Sequence, residues 1–101
     1  MNQAAMMKIR KMQKEMMEAQ KRIEETVFTG TAGGGMVSVS MTGAHAVTEV
    51  KIDPEAFESK DDVDMINDAL KAAFNDCIKQ IEKATQDAMG GFNLGGFGGL
   101  F

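Results

Sequence analysis

The chain runs from Asn2 to Glu25 without a glycine or a proline, and no other feature of the sequence narrows its fold as much. Most of these residues are Met, Lys, Gln, Glu and Ala, all good helix formers. Ala5, Ile9, Met12, Met16, Ala19 and Ile23 recur at spacings of 4, 3, 4, 3 and 4. One long first helix is expected, with a heptad-like apolar stripe sustained for nearly three repeats. At about 100° per residue the stripe centres near ~140°, and Lys8, Arg10, Lys11, Lys14, Lys21 and Arg22 fall in an arc of roughly 160° centred near ~0°. The apolar and basic faces are therefore opposed. Met6, Met7 and Met17 lie outside the stripe, so this helix carries more methionine than one buried seam uses.

The charge is divided along the chain. Residues 1 to 22 hold those six cations against Glu15 and Glu18, a balance of plus four. The rest holds five lysines against thirteen carboxylates, minus eight, and the whole chain sums to minus four. A basic arm on an acidic body points to a polyanion contact confined to one element.

From residue 26 the period changes. Val27, Phe28 and Thr29, then Val37, Val39 and Met41 alternating with Ser38, Ser40 and Thr42, then Ala46 to Ile52 read as three short strands. Gly33 to Gly35 separate the first two and Gly43-Ala44 the others, which predicts an antiparallel meander. Its apolar face is Val37, Val39 and Met41 on the second strand. On the third, Val50 and Ile52 continue a face that begins at Ala46 and Thr48. Asp53-Pro54-Glu55 can cap and start a short helical turn through Phe57. From about Asp61 to Met89, Val63, Ile66, Leu70, Ala73, Cys77, Ile81, Ala84 and Ala88 predict a second long helix, with Asp61, Asp62 and Asp64 crowding its first turn. The expected architecture is α+β in the order α-β-β-β-α, one domain over residues 1–89. Residues 90–101, half of them glycine, are expected to form a flexible tail.

A chain of 101 residues with 44% hydrophobic and 26% charged residues is one folded domain. With no Trp or Tyr, six Phe and ten Met, its core must be built mainly from Met, Val, Ile, Leu and Ala. So light a core at this size is marginal, and oligomerisation is expected. The single Cys77 and single His45 exclude an intrachain disulfide and a Cys/His zinc cluster. The Gly33–Gly35 run lacks the GK[ST] sequel of a phosphate loop and reads as a turn. The acidic cluster lacks calcium-loop spacing and reads as helix capping. His45 fits an exposed hairpin tip, and Cys77 lies on an apolar stripe, where a thiol acts as a small hydrophobe. With no acid, base and nucleophile grouped, no catalytic residue, metal, cofactor or small-molecule substrate is expected. No run approaches the ~20 apolar residues of a membrane span or forms a signal peptide, so a cytoplasmic location is expected.

MMKIRKMQKEMMEAQKRIEE at 6–25, GTAGGGMVSVSMTG at 30–43, VKIDPEAF at 50–57 and LKAAFNDCIKQIEK at 70–83 together resemble the YbaB/EbfC family of bacterial nucleoid-associated proteins. The AGGG-to-strand passage and KIDP followed by AAFND are the specific parts. The resemblance implies a homodimer that binds double-stranded DNA without catalysis and takes part in nucleoid organisation and expression control. It also implies that the long helices project from the dimer and contact DNA through Lys8, Arg10, Lys11, Lys14, Lys21 and Arg22, with Lys71, Lys79 and Lys83 on the last helix as weaker candidates. The competing reading is a protein-interaction module whose Met-rich helix and Gly-Phe tail bind a protein partner.

Overall fold

The computed structural model describes residues 2–90. It contains α1 (Gln3–Glu25), β1 (Val27–Ala32), β2 (Val37–Thr42), β3 (Val47–Ile52), two single 3-10 turns (Pro54–Ala56 and Lys60–Asp62) and α2 (Val63–Gly90). The strands form one antiparallel sheet in the order β1-β2-β3. This is the α+β meander expected from the sequence.

Helix α1 starts at Asn2, whose side-chain oxygen accepts the Ala5 amide at 2.7 Å and satisfies one of the free N–H groups of the first turn. It stops at Thr26, an extended residue whose amide and hydroxyl both donate to the Arg22 carbonyl, at 3.0 and 2.6 Å. Of the apolar stripe only Ala19 is fully buried; Ala5, Met12, Met16 and Ile23 are half-buried and Ile9 is exposed.

The core lies between β2 and α2. Val37, Val39 and Met41 are buried under Ala69, Ala73, Cys77 and Ile81. Each fully buried Val or Ile contributes roughly 1.5–3 kcal/mol. Helix and sheet meet most closely at Gly30, where a Cβ would overlap the Ala73 carbonyl oxygen and stand 2.7 Å from the Cys77 amide nitrogen. Around this contact α2 supplies partners to the edge strand β1. Asp76 accepts the Thr31 amide at 3.2 Å, Gln80 donates to the Thr29 carbonyl at 2.7 Å, and the Cys77 thiol donates to the Phe28 carbonyl at 3.2 Å. The bonds to Thr29 and Thr31 satisfy part of an edge that would otherwise invite pairing. They also show that α2 runs antiparallel to β1, so its last turns leave the sheet at the end where α1 enters.

Gly33, Gly34 and Gly35 all have positive φ (65°, 67° and 92°), a left-handed turn that side chains disfavour, and β2 follows after Met36. The second hairpin differs in detail from expectation. A register shift between Ser40 and Met41 sets Met41 opposite Val47 and Ser40 opposite Glu49. Thr48 becomes the extra residue of a bulge, and Val47, rather than Ala46 or Thr48, continues the apolar face. Asp53 caps the first 3-10 turn by accepting the Glu55 amide at 3.0 Å. The second long helix, expected from Asp61, begins at Val63 after the second 3-10 turn, because Ser59 and Asp62 form a capping box there. Asp62 accepts the amides of Glu58 and Ser59 at 2.9 and 3.1 Å, which is the capping role expected of the acidic cluster. Helix α2 extends one residue beyond Met89, to Gly90; the tail expected beyond it lies outside the described residues. His45 is exposed in the β2–β3 turn and Cys77 is buried, both as expected.

Candidate nucleic-acid interface

Lys8, Arg10, Lys11, Lys14, Lys21 and Arg22 are all exposed, while on the opposite stripe Ala19 is buried, Ala5, Met12, Met16 and Ile23 are half-buried and Ile9 is exposed. The fold thus holds the six cations on one open side of a helix of 23 residues, about 34 Å long at 1.5 Å per residue. Glu15 and Glu18 stand four residues after Lys11 and Lys14, a spacing that favours weak ion pairs on a helix. Neither pair is closed: among the described residues the one ion pair is Lys51 Nζ to Glu49 Oε1, 3.4 Å, on β3. From Asn2 to Lys14 the helix has four cations and no carboxylate. Charges left unpaired at a surface keep their field out to about a Debye length, ~8 Å at physiological salt.

The acidic part of the chain is kept away from this face. Eight carboxylates stand between Glu49 and Asp68 against Lys51 and Lys60. They occupy β3, the two 3-10 turns with their connecting residues, and the start of α2. Helix α2 then runs from this end of the sheet toward the end where α1 enters. The lysines of the last helix, Lys71, Lys79 and Lys83, are exposed but share α2 with Asp64, Asp68, Asp76, Glu82 and Asp87. A phosphate chain approaching the first half of α1, up to Lys14, meets cations alone; beyond it Glu15 and Glu18 interrupt the basic face, and along α2 both signs are mixed throughout.

A second surface was not legible as a site in the sequence. Residues directly opposite one another in antiparallel strands share a face, so Val47, Val50 and Ile52 lie on the same side as Met41, Val39 and Val37. Helix α2 packs on β1 and β2 and leaves β3 bare. The following segment adds exposed Phe57, Val63 and Met65. The available signal was the strand order, which places β3 at the edge with no helix left to cover it. Apolar surface grouped this way marks an interaction site more often than an ordinary monomer surface. No helix among the described residues is long and apolar enough to cross a membrane.

The chain is similar to known proteins over most of its length. The chain is 41% identical over 90 residues to a nucleoid-associated protein of Legionella pneumophila (strain Corby), covering 89% of this chain and 79% of that protein. A nucleoid-associated protein of Dictyoglomus turgidum is 38% identical, covering 90% of this chain and 86% of its own length. The crystal structure of an uncharacterized protein from Helicobacter pylori has the same fold, with a TM-score of 0.67 and 27% identity over 86% of this chain and 91% of that one. Residues 1–97 carry the pattern that defines a family described by its DNA binding, and the chain belongs to it: the YbaB/EbfC DNA-binding family.

Proposed function

We propose that the chain is a homodimeric nucleoid-associated protein that binds double-stranded DNA mainly through phosphate contacts. Lys8, Arg10, Lys11, Lys14, Lys21 and Arg22 make those contacts, and the protein works in nucleoid organisation and expression control. The observation that carries this reading is the exposed, unpaired state of all six cations on one face of α1. Lysine and arginine side chains neutralise phosphates and release condensed counterions, an energy almost blind to base sequence. No proton transfer or bond cleavage is needed; the chemistry is binding.

Dimerisation is supported by the bare apolar side of β3 and by the incompletely covered stripe of α1. A second copy would cover the first while leaving the basic side of α1 open. Two arms held in one particle make the second contact intramolecular, so two weak sites act as one strong one. The test is fluorescence anisotropy with several unrelated duplexes. Affinities within about tenfold of each other are expected when phosphate contacts dominate. Binding to a single sequence, or to none, contradicts the reading.

A further inference from the structure

Met7 is the one large apolar side chain inside the basic arc, and it is 65% exposed. At about 100° per residue it has Lys14 ~20° and Arg10 ~60° away on one side, and Lys11 ~40° and Lys8 ~100° away on the other. Its neighbours one turn away on the helix are Gln3, Ala4, Arg10 and Lys11, so no apolar residue of bulk covers it. The first carboxylate in the chain is Glu15, about 12 Å further along the axis. An apolar group flanked on two sides by unpaired cations does not serve the core, and the core stripe lies on the opposite side of α1.

The dimensions of duplex DNA give this arrangement a use. A helix about 10–12 Å across enters the major groove, ~12 Å wide, and is too broad for the minor groove, ~6 Å wide. With the centre of the basic arc facing inward, cations on the two flanks reach phosphates on the two walls, and the residue between them faces the floor. Met7 has no hydrogen-bond donor to offer base edges. The apolar group on that floor is the C5-methyl of thymine.

We infer that Met7 contacts thymine methyl groups on the floor of the major groove and adds a modest preference for methyl-bearing pyrimidines to a contact otherwise blind to sequence. This rests on the proposed DNA binding by α1, and the test separates the two. Anisotropy titrations use an A·T-rich duplex with thymine or with deoxyuridine in its place, and a G·C-rich duplex with cytosine or 5-methylcytosine, against the wild-type chain and Met7→Ala. Loss of the thymine methyls should weaken wild-type binding about three- to tenfold, and methylation of cytosine should strengthen it by a similar factor. Met7→Ala should bind the thymine duplex as weakly as wild type binds the uracil one, and should not sense the methyl in either pair. Because no cation is removed, the salt dependence should stay that of wild type in every arm. Met7 is exposed, so an unchanged circular dichroism spectrum is expected for the variant. Equal wild-type affinity with and without the methyl groups, or a variant that still senses them, overturns the inference and leaves phosphate binding standing. Loss of salt-dependent binding by wild type to all four duplexes overturns both.

Discussion

Val39 of β2 and Val50 of β3 are direct partners across the sheet, yet Val39 is 0% exposed and Val50 is 45% exposed. Both lie on the helix-bearing side. The difference is the reach of α2, which covers β1 and β2 and stops short of β3. The sheet therefore has a finished half and an open half, and the same apolar alternation runs through both. Burial of the open half against a second copy would stabilise each valine and isoleucine there by at most about 3 kcal/mol.

If the open half of the sheet is the seam of the proposed dimer, Val50→Lys should leave a monomer. Two symmetry-related ammonium groups would be brought into an apolar contact, while the isolated protomer keeps the side chain half in water and folds as before. Light scattering at micromolar concentration should fall from twice the chain mass of 10.9 kDa to that mass itself, with helix content unchanged. A variant that remains dimeric would place the interface elsewhere.

Gly30→Ala should be among the most destabilising single substitutions. The added Cβ meets backbone atoms of Ala73 and Cys77, which cannot rotate away, so helix and sheet must separate. A cost of about 3 kcal/mol follows, or on the order of 15 °C in melting temperature for a domain of this size. Gly34→Ala is the control. Nothing lies within 4 Å of that position, so only its left-handed conformation is strained, at about 1 kcal/mol. If thermal melts put the two variants level, the close approach of β1 to α2 would be wrong.

Element order, the meander and the opposed faces of α1 were legible because each rests on local periodicity. Ala5 to Ile23 repeat at helical spacing, Val37, Val39 and Met41 at strand spacing, and glycine marks the turns between. The six cations were legible for the same reason, as their arc follows from residue number alone. What was not legible depends on residues far apart in the chain. The bonds from Asp76 and Gln80 to β1 join positions 45 and 51 residues apart, and neither side chain differs in sequence from an ordinary exposed helical residue. The bulge at Thr48 is a competition between two registers that alternation cannot rank. The exposure of Val50 depends on where α2 ends its coverage, a packing outcome. Ser59 is the exception: its capping box with Asp62 is a local motif, obscured by the neighbouring aspartates, which themselves signal a helix start.

Reversal of the central cations tests the location of the contact. Lys11→Glu with Lys14→Glu should weaken binding to every duplex alike, by at least about tenfold at physiological salt, since each phosphate contact carries electrostatic energy without sequence information. The dimer and the helix content should persist, because both side chains are exposed. Undiminished affinity in the double variant would move the contact to Lys71, Lys79 and Lys83 on α2.

The most direct test of the central claim is the salt dependence of wild-type binding to an arbitrary duplex, measured by anisotropy over several ionic strengths. The proposed dimer would offer twelve cations, six from each α1; if roughly four to eight engage phosphates, log affinity should fall against log salt with a slope of about −4 to −7. A flat line would contradict the account, because an interface that ignores salt is not built on Lys8, Arg10, Lys11, Lys14, Lys21 and Arg22.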